Sequence, residues 1–308
     1  MTRSILDHSI ARLEGSAQEE SARALKSCRN ELSPISRLSV EILCNIFSLI
    51  EDTDNSSIRL PYSNRRPESW TNFSQVSQHW RKSALSAPAL WTNIPLGYPR
   101  WAREMLARSK MAKLTIRSSS PSLYVSSFKT IETVRSCLYE MNRAEEIRIT
   151  TANGLILEEI FRDLPKSAPQ LHTLSIGSYS PLHAFSIRKD FLYNTEHYSL
   201  RRVKLINCKI SWDSCLIGLT RLTLKNSLEA NTSIINVLHA LQRMPALTDL
   251  HLKNSIPDDS GDPSAYPVVD LPCLRVLHVS SCVGPLTTIL RHITFPHSAM
   301  LNLTCRQP

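Results

Sequence analysis

The sequence predicts an α plus α/β protein: an N-terminal helix and a small three-helix module, followed by a curved α/β solenoid of stacked repeats. Three observations lead there. The chain has 308 residues, enough for about two domains at ~150 residues each. Its first hundred residues space their apolar side chains three and four apart, the helical period, between prolines. From residue 111 that texture gives way to a six-residue pattern, apolar-x-x-apolar-x-apolar, recurring through residue 303.

Residues 5–32 read as one amphipathic helix, with Leu6, Ile10, Leu13 and Ala17 on one side. Pro34 breaks it. Ser39 is placed to cap a second helix, with Glu41 in its first turn, where the helix dipole favours an anion. Val40, Leu43, Phe47 and Ile50 share one face of that helix, flanked by Ile42 and Ile46. Residues 51–69 are polar, with two prolines, and read as a surface loop. Next come Phe73, Val76, Trp80 and Ala84 at helical spacing, with Trp70 one turn before them. Pro88 ends that helix, and "ALW" opens a new short element. The basic run "RWAREMLARSKMAK", 100–113, reads as a linker helix whose charges solvate it. The divisions expected are 1–34, 35–98, 99–110 and 111–308.

The six-residue pattern appears as "MAKLTI", "AEEIRI", "LHTLSI", "LRRVKL", "LTRLTL", "LTDLHL" and "LRVLHV", with "SAMLNL" a degraded last copy. Successive final apolar residues are 33, 27, 29, 19, 28, 27 and 24 apart. Most gaps fall in the range of ~20–29 residues of leucine-rich repeats, whose L-x-x-L-x-L core the pattern matches. Each closing apolar pair alternates as a short strand requires. Segments such as "LILEEIFRDLP" and "TSIINVLHALQRMP" return the chain as helices. One unit cannot bury its apolar face alone, but stacked neighbours can. The third residue past each strand is small, polar or a thiol: Ser119, Ala152, Cys208, Ser227, Ser255 and Cys282, with Tyr179 the exception.

Residues 35–94 resemble an F-box. "LSVEILCNIF" is similar to the opening L-P-x-E-I-L-x-x-I-F of that family, and "FSQVSQHWRKSALSAPALW" to its closing V-C-x-x-W-R…P-x-L-W. Ser39 stands where the family has proline, and Ser77 where it has cysteine. The resemblance implies docking on the Skp-type adaptor of a cullin complex. Carried over by position, the adaptor-binding residues are Leu38, Glu41, Ile42, Leu43 and Ile46, then Val76, Trp80 and Trp91.

Composition narrows the rest. Only 7 glycines and no G-x-G-x-x-G argue against a phosphate-cradling loop. No apolar run approaches the ~20 residues of a membrane span. The first 20 residues lack the apolar core of a secretion signal. Eight cysteines without a C-x-x-C pair suit reduced thiols, in the cytoplasm or nucleus. The net charge is +9, and the 25 basic and 17 acidic groups beyond residue 98 supply most of it.

That charge gathers beside the strand apolar pairs, on the side expected to be concave: Arg148, Arg202, Lys204, Arg221, Lys225, His251, Lys253 and His278. Arginine supplies planar forks and lysine point charges for carboxylate or phosphate. A protein substrate, acidic or phosphorylated, is the expected occupant. No aromatic ladder accompanies the basic runs, so nucleic acid is disfavoured. No catalytic residues, metal ligands or cofactor are nominated, and an enzyme is not expected. The sequence reads as the substrate-recruiting F-box subunit of an SCF-type ubiquitin ligase. The alternative is a leucine-rich-repeat scaffold acting outside a ligase.

Overall fold

The computed structural model describes residues 3–14, 19–57, 69–118, 128–164, 168–187, 199–210, 212, 216–228, 232–258 and 265–306. The chain divides into two compact units, residues 1–92 with 107–110, and residues 93–106 with 111–308.

In the first unit the expected single N-terminal helix is two, α1 (Arg3–Glu14) and α2 (Glu19–Glu31). Leu6 and Ile10 are buried, as is Ala22, and the Arg29 guanidinium donates to Asp7 at 3.2 Å. A shared apolar side is satisfied by two short helices facing each other as well as by one long helix. The side chains of Leu13 and Ala17 lie outside the described residues. Helix α3 (Val40–Ser57) runs beyond the expected start of the surface loop, and residues 58–68 lie outside the described residues. A 3-10 turn (Ser69–Gln75), α4 (Gln78–Ser86) and a second 3-10 turn (Pro88–Trp91) complete the unit.

Its core is aromatic. Leu43 and Phe47, four residues apart on α3, are buried together with Phe73, Ala84, Leu90 and Trp91. Phe47 stacks on Phe73 at 3.9 Å between centroids, and Trp80 tilts against Phe47 at 5.3 Å.

The second unit is built on one parallel sheet of nine strands: β1 (Asn93–Pro95), β2 (Leu114–Arg117), β3 (Ala144–Thr151), β4 (Thr173–Ser178), β5 (Arg202–Ile206), β6 (Arg221–Lys225), β7 (Asp249–Lys253), β8 (Val276–Cys282) and β9 (Met300–Arg306). They pair in chain order, each with the next. The expected architecture, a helical F-box-like module followed by a curved leucine-rich-repeat solenoid, is therefore overturned. The fold is mixed α/β on a continuous nine-stranded parallel sheet, with nine α-helices among the described residues. The reason is that the six-residue pattern encodes only the strand: what it needs to be buried on one face and paired in register. The return path carries no such repeat. Helix α6 (Phe128–Leu138) precedes β3, α7 (Gly154–Phe161) follows it, α8 (Ile234–Gln242) follows β6 and α9 (Val283–His292) follows β8. Between β5 and β6 no helix occurs among the described residues. Strand β1 lies ahead of the first expected repeat, and α5 (Pro99–Arg108), read as a linker, is the crossover between β1 and β2.

Register follows the apolar pairs. Ile147, Leu174, Val203, Leu222, Leu250 and Leu277 form one buried row. Ile149, Ile176, Leu205, Leu224, Leu252 and Val279 form the other. At ~1.5–3 kcal/mol for each fully buried side chain, these two rows are a main source of the unit's stability. The alternate residues point to the opposite, open face.

The strand ends are held by an asparagine ladder that the sequence reading missed. Asn207, Asn226 and Asn254 have φ of 54°, 51° and 49°, a left-handed conformation that asparagine tolerates better than most residues. Asn254 Nδ2 donates to Asn226 Oδ1 at 2.9 Å, and Asn226 Nδ2 to Asn207 Oδ1 at 2.8 Å. Asn207 Nδ2 then donates to the Ser178 carbonyl at 2.6 Å. One place later, Cys208, Ser227 and Ser255 are buried. The two serine hydroxyls donate to the Lys225 and Lys253 carbonyls, at 3.0 and 2.9 Å, and the Cys208 thiol to the Ile206 carbonyl at 3.3 Å. Burial pushes the Cys208 thiol up to about 12, so it packs and does not react. Ser119 lies outside the described residues.

Candidate docking surfaces

The first candidate lies on the helical unit. Helix α3 carries two apolar stripes. Leu43 and Phe47 face inward, while Ile42, Ile46 and Leu49, at spacings of four and three, lie on an adjoining side. Ile42 is 48% exposed, Leu49 is exposed and Ile46 is half-buried. Val76, between the 3-10 turn and α4, is 56% exposed. Glu41 is exposed, and Leu38 half-buried. The Leu38 carbonyl lies 3.4 Å from His79 Nε2, which ties this segment to α4.

Two residues carried over from the resemblance cannot serve as surface. Leu43 and Trp91 are fully buried. Trp91 donates its indole N–H to the Ala84 carbonyl at 2.9 Å, and the Arg108 guanidinium covers its ring at 4.3 Å. Both are core, as a large apolar side chain in so small a unit must be. Trp80 is half-buried, one edge on Phe47. The side chain of Trp70 lies outside the described residues.

The two serine departures have a structural role. Ser77 caps α4, its hydroxyl accepting from the Trp80 N–H at 3.2 Å. Ser39 opens α3: its carbonyl accepts from Leu43 N–H at 3.0 Å, and its hydroxyl lies 3.5 Å from Ile42 N. A hydrogen bond from Ser39 also holds the Glu41 carboxyl below its ordinary value. Helix starts favour serine in this role, so neither replacement disturbs the helix it precedes.

The second candidate is the open face of the sheet, where register brings the predicted basic residues together. Arg202 pairs with Arg221 and that with Asp249. The next row holds Lys204, Thr223, His251 and His278, and a third holds Ile206, Lys225 and Lys253. Thr223 is thus a short side chain ringed by Lys204, Arg221, Lys225 and His251. His251 and His278 stack at 5.5 Å, 11° from parallel. Burial first, then the charge of His278, lowers the pKa of His251, and Arg221 and Lys204 act in the same direction against Asp249.

Some of the expected charge is already compensated. Arg221 is paired with Asp249 at 3.1 Å. Arg148 is paired with Glu146, which also holds Arg117 at 2.8 Å. Arg148 therefore stands two strands from Lys204, shares Glu146 with Arg117, and does not join the cluster. Among the described residues, Arg202, Lys204 and Lys225 meet no carboxylate, and Lys253 is half-buried beside Lys225. Like charges directly opposite on adjacent strands are unfavourable, and Arg202 faces Arg221 as Lys225 faces Lys253. Gly177 shapes one border: a Cβ there would meet the Ile206 Cβ at 2.9 Å. No cluster of three His, Cys, Asp or Glu side chains able to hold a metal occurs among the described residues.

The chain matches no protein-family model and no curated protein.

Proposed function

We propose that the protein is a substrate-recruiting adaptor: its helical unit docks on the Skp-type adaptor of a cullin-based ubiquitin ligase, and its sheet face holds a protein substrate. The observation that carries this reading is the second apolar stripe of α3. A helix that buries Leu43 and Phe47 has met its structural need, yet Ile42 and Leu49 stay in water, with Val76 exposed on the same unit. Apolar surface of this kind marks a partner, and it falls within the segment whose sequence resembles an F-box. The basic face supports an acidic or phosphorylated substrate, because an anion over Thr223 would offset the like-charge contacts around it. The chemistry is proximity: a substrate lysine is held at high effective concentration near a ubiquitin-loaded enzyme.

Pull-down with purified Skp-type adaptor tests the first half. Wild type should retain the adaptor, and Ile42→Asp should lose it with the helical circular dichroism unchanged. Failure of wild type to retain adaptor would leave an interaction scaffold outside any ligase. In the same assay Arg202→Glu with Lys225→Glu should keep the adaptor and lose an acidic or phosphorylated substrate segment.

A further inference from the structure

Two imidazoles share the open face with the cations. His251 stands in register between Thr223 and His278. Both histidines are half-buried, and their rings stack at 5.5 Å, 11° from parallel. The charged groups around them are mostly positive. Strand β6 brings Arg221 and Lys225, β7 itself brings Asp249 and Lys253, and Lys204 lies beyond Thr223 on β5. On β8, Val276 and Ser280 flank His278, and β9 sets Met300, Asn302 and Thr304 against them, all without charge. Asp249 is the one carboxylate among these residues, and it is engaged by Arg221 at 3.1 Å and by the Thr248 hydroxyl at 2.6 Å. A proton on either ring therefore meets cations and a carboxylate already paired.

Resting on the reading of this face as the substrate surface, we infer that the His251–His278 pair takes up a proton when an acidic substrate segment settles over Thr223, so that capture strengthens as the pH falls. Carboxylates or a phosphate placed there cancel the field that opposes the proton. Linkage is reciprocal: whatever factor the anion adds to proton binding, the proton adds to anion binding. The contact improves as well, because neutral imidazole offers one N–H and imidazolium two, with a charge behind them. One proton enters, not two, since a second would meet a like charge on the stacked ring. In the free protein burial, then His278, holds His251 below the ordinary 6.5, so His251 is neutral at pH 7 and ready to respond. Affinity is then flat above the pKa of the complex, rises as the pH falls from that value to the lower one of the free protein, and levels below it. Lysine and arginine stay charged throughout and cannot supply this dependence.

A rhodamine-labelled hexaglutamate peptide is the probe, because its carboxylates stay ionised above about pH 6, where a phosphate would itself titrate. Fluorescence anisotropy with the full chain at constant ionic strength should show capture tightening by about fivefold or more from pH 7.5 to 6.0. Calorimetry at about pH 6.5 in two buffers of different ionisation enthalpy should show proton uptake on binding. His251→Gln with His278→Gln should hold the change to less than about twofold and abolish the uptake, with unchanged circular dichroism. If that variant fails to fold, wild-type NMR decides: the His251 ring should titrate at a higher pH with peptide bound than without. Capture equal at both pH values overturns the inference and leaves the substrate face standing. So does a pH dependence that the double variant keeps, or a His251 titration that the peptide does not move. No capture at either pH overturns the substrate face and the inference together.

Discussion

Asn226 holds two neighbours at once, donating to Asn207 and accepting from Asn254, at a backbone φ of 51°. Alanine there would leave one amide donor and one acceptor without partners and put a Cβ into a left-handed turn. Asn226→Ala should cost about 2–4 kcal/mol, read as a shift in urea denaturation. Asn226→Asp, which keeps the acceptor and the turn preference, should cost less. A loss below about 0.5 kcal/mol in the alanine variant would show that the ladder does not hold the strand ends. The sequence carried the signal, because an asparagine stands two places past the closing apolar residue at 207, 226 and 254. One place later stand Cys208, Ser227 and Ser255, small or thiol side chains in the same copies. Those residues report burial, while the asparagines report a backbone angle that no spacing rule displays.

At the scale of the element, α3 separates stability from docking. Leu43→Ala should cost about 2–5 kcal/mol, the range for emptying a packed core site. Ile42→Ala, one residue away, should change stability by no more than about 0.5 kcal/mol. Equal losses in thermal or urea melts would mean that the stripe through Ile42 is covered. Periodicity brought Val40, Leu43, Phe47 and Ile50 to one face, but only Leu43 and Phe47 are buried. A helical period gives direction around an axis. Depth depends on what arrives from elsewhere, here Phe73 and the tilted Trp80. The strands were more legible, because a two-residue period with both apolar rows buried leaves one register. All eight six-residue copies lie on strands of the sheet, and the ninth strand, β1, escaped notice because three residues ending in proline show no pattern.

Across the whole molecule, charge was read correctly in amount and only partly in placement. Counting cations could not show that Asp249 claims Arg221, or that Glu146 claims Arg148. What remains is a positive field over one face, and His251 senses it. Burial, then His278, holds its pKa below the ordinary 6.5. The unfolded chain therefore takes up this proton at a higher pH than the folded one. Stability should be complete above about pH 6.5 and be lost as the pH falls through the folded value. Urea midpoints at pH 7.5 and 5.5 should fall further for wild type than for His251→Gln. Equal slopes would place the titration elsewhere.

The chain passes from the helical unit into the sheet at residue 93, comes back at 107 and leaves again after 110. On that return Arg108 lays its guanidinium over Trp91. Cutting the polypeptide at 98, where composition invites the knife, would strip one face of the tryptophan at the centre of the helical core. The smallest N-terminal piece that carries its own roof ends at residue 110, and it takes the short strand Asn93–Pro95 with it, severed from the partner it pairs with at Leu114–Arg117.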